Sequence, residues 1–253
     1  MAKLTQKLST QDLYTSSNGV EILGAEVVGV RVNGLNGKEF SLALNGAVAL
    51  VAGNLLQSVV EDTQFENMAV GTAAVVGQTF IQVTNGTTTV VPNYFKGGSI
   101  MVYTAGTVAI GEEYTIIDVT GTLTTGGALK VFVDRPLRYA FTTGATVTMK
   151  QNLYSGVIQM PASTPTGIAV AIAPFAIAAS TSTAPVYGYV QTRGIAACLS
   201  DGSTFAVGSA VGTPSGTAGC VTVYAAATTK QAIGVALQAA ASAHAIAVNL
   251  TGF

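Results

Sequence analysis

The sequence predicts an all-β protein: one or two antiparallel β-sandwich or barrel segments, jelly-roll-like in character, behind a flexible N-terminal arm. Three observations carry this. Short runs with period-two alternation recur along the chain. Glycine-rich turns separate them at intervals of roughly 8–12 residues, the spacing of sandwiches and barrels. Between them nothing is long enough to act as the crossover helix of an α/β fold.

Composition narrows the function classes. The chain has 253 residues, enough to bury a substantial core. Charged residues make up 9%, where an ordinary globular protein carries about 25%. Gly, Ala, Thr, Ser and Val take their place. A net charge of −1 offers no field to recruit nucleic acid or an anionic membrane surface. So few charges also provide little repulsion between copies, which suits a protein that packs against its own kind. After Lys150 the only formal charges are Arg193, Asp201 and Lys230. The most apolar run, 168–179, contains Pro174 and falls short of the roughly 20 apolar residues of a membrane span.

Taken in order, the opening MAKLTQKLSTQDLYTSS has two lysines and no apolar stretch behind them. It reads as a polar arm and not as a secretory signal. Val28, Val30 and Val32 alternate into a turn at 33–37, and Phe40, Leu42 and Leu44 return, which is a hairpin. Gly37-Lys38 lacks the P-loop spacing and Glu39 stands where Ser or Thr would be needed, so this is a turn and not a phosphate cradle. Residues 47–60 admit a helix, but Gly53-Asn54 in their middle favours two short strands about a turn. The acidic stretch VEDTQFENM then closes a first segment, 1–65, of arm and hairpins, a candidate binding or oligomerisation segment.

A middle β-domain is predicted over 66–158, with strands at 79–84, 88–91, 99–103, 114–118, 129–133, 137–141 and 147–150. The run MPASTPTG that follows reads as a linker or a long surface loop. A charge-poor C-terminal β-domain is predicted over 159–253, with strands at 168–172, 186–192, 195–199, 219–224, 233–238 and 245–250. Ala-rich 239–245 suggests a helix, yet Ile233, Val235 and Leu237 before it and Ile246, Val248 and Leu250 after it alternate, which favours a hairpin. Whether the two β-segments are separate domains stays open.

The chemical inventory is thin. Any Ser-His-Asp or Cys-His arrangement would have to pass through His244, the single histidine, which sits between Ala and Ser in a predicted turn. Asp201, the one carboxylate beyond Lys150, is explained by an Asp201-Gly202 turn. Cys198, Cys220 and a distant His do not have the spacing of a zinc site, and the two cysteines read as small reduced core residues. Glu61-Asp62 and Glu112-Glu113 are sequence neighbours, which a strand sends to opposite faces. No enzymatic activity, catalytic residue, metal site or cofactor is expected. The compact cluster from Asp134 to Arg138 reads either as a contact to a partner or as a turn whose charges keep an edge soluble; surface ion pairs add little, which favours the turn. Tyr187, Tyr189 and Arg193 share one predicted strand face. Aromatics and Arg are the residue types enriched at interface hot spots, so the three are candidate interface residues, with a plain solvent-facing strand equally open.

The segments Glu66-Asn67-Met68-Ala69-Val70, Glu113-Tyr114-Thr115-Ile116-Ile117 and Asp134-Arg135-Pro136-Leu137, with Thr142-Thr143, carry a family resemblance. So do Asn152-Leu153-Tyr154-Ser155-Gly156-Val157, Tyr187-Gly188-Tyr189-Val190-Gln191-Thr192-Arg193-Gly194, Ile233-Gly234-Val235-Ala236-Leu237 and Val248-Asn249-Leu250. From about residue 60 to the C-terminus the chain resembles the tailed-bacteriophage virion structural proteins that act as capsid decoration, or cement, proteins. The resemblance implies a β-rich protein that oligomerises on the capsid exterior and clamps major-capsid subunits after assembly in the host cytoplasm. The implied partners are the major capsid protein and further copies of the chain, as dimer or trimer, with no nucleic acid and no membrane. It transfers no residue-level site. The alternative is a receptor- or glycan-binding β-module of a tail fibre or surface appendage. That reading is weakened by the absence of Trp and the scatter of the tyrosines.

Overall fold

A computed structural model describes residues 28–104, 109–121, 123, 125–162, 164–225, 230–240 and 244–253. The predicted N-terminal arm, up to residue 27, lies outside the described residues. Those described are all-β, as expected, apart from two short 3-10 turns at Leu35–Gly37 and Thr63–Phe65. The chain first lays down β1 (Arg31–Asn33), β2 (Glu39–Asn45) and β3 (Leu55–Gln57). Six strands follow: β4 (Met68–Thr72), β5 (Phe80–Thr84), β6 (Ser99–Thr104), β7 (Glu113–Val119), β8 (Ala128–Val133) and β9 (Thr146–Lys150). The remainder forms β10 (Ser155–Gln159), β11 (Ala169–Ile172), β12 (Tyr187–Leu199), β13 (Ala210–Gly212), β14 (Thr222–Val223), β15 (Ala232–Ala236) and β16 (Ala245–Leu250).

The chain divides into two compact units, Glu61–Asn152 and the described residues of Met1–Val60 together with Leu153–Phe253. The three consecutive segments expected from the sequence, 1–65, 66–158 and 159–253, are therefore replaced by an insertion. The cause is register. β3 pairs antiparallel with β10 (Leu56 with Gln159, Gln57 with Ile158), so the whole segment 61–152 is spliced into the turn of one hairpin. β2 pairs with β12 from Tyr187–Leu44 to Arg193–Glu39, which ties the first hairpin to the C-terminal region.

The inserted unit is a closed barrel in the order β4-β5-β8-β7-β6-β9. Closure removes the unpaired edges that a small sheet would otherwise expose. Alternation in the sequence becomes alternation of burial: Leu129, Val131 and Val133 of β8 point inward, while Ala128, Lys130 and Phe132 point out. Ile81, Val83, Ile100, Val102, Tyr114, Ile116 and Val147 complete the interior. Where the chain enters and leaves the barrel, Lys150 forms ion pairs with Glu61 and, at 2.9 Å, with Glu66. The 137–141 run, expected as a strand, makes only the isolated bridge of Phe141 with Ala74, and 88–91 only that of Val90 with Leu123.

In the other unit, β2, β10, β3, β11 and β12 pair in a circuit that closes through β2–β12. One pair departs from the antiparallel expectation, since β10 runs parallel to β2. Phe40, Leu42, Leu56, Val157, Val170 and Tyr189 belong to the core of this ring. The described residues of the 160–167 run, open in sequence to a linker reading, belong to this unit: Met160 is fully buried, and Gln57 Nε2 donates to Thr166 Oγ1 at 2.7 Å. A second core, containing Leu55, Met160, Cys198, Val211, Ile233, Ile246 and Val248, lies under the sheet formed by β12, β16, β15, β13 and β14.

Candidate functional site

β12 organises its unit because its 13 residues serve two sheets. The first half, Tyr187 to Gln191, pairs with β2; the second half, Gly194 to Leu199, pairs with β16. The sequence presents these as two strands. They are one, bent at a register shift between Gln191 and Arg193. Gly194 permits the bend: its φ is +83°, and a Cβ there would sit 3.0 Å from the carbonyl oxygen of Gly37. Gln191 fastens it from inside, its Nε2 donating to the carbonyls of Arg193 and Ile195, both at 3.0 Å.

This geometry corrects the candidate trio. Tyr187 and Tyr189 are 9% and 5% exposed and belong to the core of the ring, so they are not surface anchors. Their burial raises both phenol pKa values above the ordinary 10.0. The physical reason is that the first half of β12 is buried on both faces, from Tyr187 through Thr192. Only Arg193 of the three reaches solvent, and its Nη1 lies 3.2 Å from Glu39 Oε1 on the neighbouring strand.

The surface that the second half of β12 builds was not singled out by sequence. Ala196 and Cys198 face the core, so Ile195 and Ala197 face outward. The register carries the outward rows across the sheet: Ile195 opposite Asn249, Asn249 opposite Val235, Val235 opposite Ala210, and Ala197 opposite Ala247. Leu237 extends the second row, its N–H donating to the Ala247 carbonyl at 2.9 Å. Ile195 and Leu237 remain 49% and 42% exposed. A shallow groove of about 490 Å³ borders this face, lined by Asn36, Gly37, Arg193, Gly194, Ile195, Leu237, Asn249, Leu250 and Thr251.

The three formal charges beyond Lys150 are all engaged within the chain. Arg193 pairs with Glu39. The Asp201 carboxylate accepts from Ser203 N at 3.0 Å, Ser203 Oγ at 2.6 Å and Ser215 Oγ at 3.3 Å. Burial by itself would raise its pKa, but these bonds, with Thr222 beside them, outweigh burial and hold it below 3.8. The Lys230 ammonium donates to the Pro214 carbonyl.

The remaining candidates fall out as follows. In the 134–138 cluster, Asp134 Oδ1 accepts from Thr115 N at 3.0 Å and Arg135 Nη2 donates to the Glu113 carbonyl at 2.6 Å. The Arg135 guanidinium stacks 4.8 Å from the Tyr114 ring centre, and Arg138 pairs with Glu112 at 3.5 Å. These contacts hold a turn against the start of β7. His244 is exposed, and its backbone carbonyl accepts from Ser200 N at 2.9 Å. Cys198 and Cys220 are both free thiols in buried positions, and burial pushes the Cys198 thiol up to about 12. Among the described residues no group of three or more His, Cys, Asp or Glu side chains is placed to hold a metal ion. Comparison of the chain with protein families, with curated proteins and with solved structures finds no match.

Proposed function

We propose that the chain is a structural protein of a phage virion that decorates and stabilises the capsid by packing on its outer surface against major-capsid subunits and further copies of itself. The observation that supports this most is the disposition of charge over 153–253: three charged residues in the whole stretch, each satisfied inside its own chain. Such a surface has little electrostatic repulsion to overcome when many copies crowd together. Closed barrels and rings suit the same role, because they leave few strand edges for uncontrolled pairing. In this reading the protein is not an enzyme, holds no cofactor and acts at the capsid exterior after assembly in the host cytoplasm.

The test is stoichiometric. Quantifying this polypeptide against the major capsid protein in purified virions is expected to give a near-equimolar ratio. A few copies per particle would instead support the tail-fibre or appendage module, and absence from the particle would overturn both.

A further inference from the structure

We propose that Asn36 is a spontaneous modification site, deamidated through a cyclic imide with Gly37 to aspartate and isoaspartate, and that the product is felt at the bend of β12. The inference stands apart from the shell reading and does not rest on it. The described residues hold Asn-Gly at 33–34, 36–37, 45–46 and 85–86; a fifth pair, at 18–19, lies outside them. Glycine favours this chemistry because, without a Cβ, it leaves its own amide nitrogen open to approach and free to turn. Water is the only co-reactant. Base removes the Gly37 N–H proton, the nitrogen attacks Asn36 Cγ, and the Cγ–Nδ2 bond breaks, the amide nitrogen leaving as ammonia with a proton returned to it. Water then opens the imide, at Cγ to give aspartate or at the backbone carbonyl to give isoaspartate, whose main chain runs through the former side chain.

The fold locks the other three described pairs. Asn45 and Asn85 are 2% and 3% exposed. The Asn45 Nδ2, which would have to leave, donates to the Val48 and Ala178 carbonyls at 2.9 and 2.7 Å, and Gly46 N, which would have to attack, donates to the Val157 carbonyl at 2.8 Å. Asn85 Nδ2 donates to the Thr88 carbonyl at 3.0 Å. Asn33 is exposed, but it pairs with Glu39 at the end of β1, and Gly34 N donates to the Lys38 carbonyl at 2.8 Å. Each of these reacts only from a locally opened chain, so its rate is scaled down by the opening equilibrium. Asn36 and Gly37 are placed otherwise, both exposed in a three-residue 3-10 turn. The closing bond of that turn, from Lys38 N to the Leu35 carbonyl, is 3.2 Å long, and 3-10 bonds of this kind have poor geometry and open cheaply. Asn36 has φ +57°, and a Cβ on Gly37 would meet nothing within 4 Å, so the peptide between them has room to rotate Gly37 N toward Cγ.

The turn abuts the bend. Asn36 and Gly37 line one groove with Arg193 and Gly194, and a Cβ on Gly194 would sit 3.0 Å from the Gly37 carbonyl oxygen. Aspartate brings a new carboxylate into the groove that Arg193 lines, in competition with Glu39. Isoaspartate lengthens the main chain at the point where it presses on β12.

The experiment ages the folded full chain in warm, mildly alkaline buffer and follows each Asn-Gly peptide by mass spectrometry, with fragmentation that separates isoaspartate from aspartate. Conversion at Asn36 is expected at least ~10-fold faster than at Asn33, Asn45 or Asn85, the factor set by the opening those three require. In denaturant the four rates should converge, because the reacting pair is the same in each. The amide NMR signal of Gly194 should move in step with conversion at Asn36, and in Asn36→Ser, which has no amide to lose, it should stay fixed through ageing. Asn33, Asn45 or Asn85 converting as fast as Asn36 in the folded chain overturns the assignment. So does an Asn36 that stays intact under conditions where the denatured chain converts. Conversion at Asn36 with an unmoved Gly194 signal overturns the coupling to β12.

Discussion

The inserted barrel and the unit that carries it solve the same problem with different surfaces. Between Glu61 and Asn152 the sequence holds twelve charged residues, while the two stretches of the carrier, 1–60 and 153–253, hold eight and three. The barrel is built from strict alternation, as in β8, where every second residue is buried and the others reach water. β2 and the first half of β12 are buried on both faces, because they lie between neighbours inside a unit with two cores. The barrel segment carries charge from Glu61 at its start to Lys150 at its end, and the carrier's 153–253 stretch carries little. The lesson is that low charge here is a property of the carrier's C-terminal stretch, 153–253, and not a general feature of the chain.

The largest expected effect comes from separating the two. Excising 61–152 and joining Val60 to Leu153 through a short turn should leave a folded carrier, because β3 and β10 already face each other across the splice. The excised piece should fold as a barrel. Calorimetry of the intact chain and of both pieces checks this: each piece is expected to melt cooperatively, and a carrier that loses its sheet signal would show that the units depend on each other.

Next in size is Tyr189→Ala, expected to destabilise the carrier by about 3–5 kcal/mol in chemical denaturation, the range for deleting a buried aromatic. If Tyr189 were a surface anchor, stability would hold and only association would fall. The barrel counterpart, Tyr114→Phe, removes the phenol that accepts from Arg138 N at 3.1 Å and should cost about 1 kcal/mol. A smaller effect is expected from Asp201. Its carboxyl is held below the ordinary value when folded, so its contribution is present above about pH 4 and is lost as pH falls through the folded pKa. Asp201→Asn should flatten that part of the pH–stability curve. The smallest is Arg193→Ala, expected at or below about 1 kcal/mol, because the pair with Glu39 is solvent-exposed.

How much of this was legible in sequence follows the same division. β2, β5, β7, β8, β9 and β16 are announced by alternation and flanking turns, and the hairpin across the Ala-rich stretch is realised as β15 paired with β16. Met68–Thr72 was hidden behind the acidic connector, and Ser155–Gln159 behind Gly156 and the Pro-rich run that follows. The insertion was not legible, because the pairing of β2 with β12 joins residues nearly 150 positions apart. The tyrosine face failed for an instructive reason. Tyr187-Gly188-Tyr189-Val190-Gln191-Thr192 alternates in size but carries no charge on either side, and it belongs to a strand buried on both faces. The outward face of β12 beyond Gly194 was readable only after the bend had fixed which of Ile195 and Ala196 points to solvent.

The most direct test of the proposed shell role, in which copies pack through charge-poor surface and not through the ion pairs of the barrel, is the salt dependence of self-association. Sedimentation of the full chain at about 50 mM and about 500 mM salt should give the same or a slightly stronger dimer, because screening acts on charges and leaves apolar burial intact. A dimer that dissociates steeply as salt rises would place the contact on the ion pairs of the barrel and contradict the account.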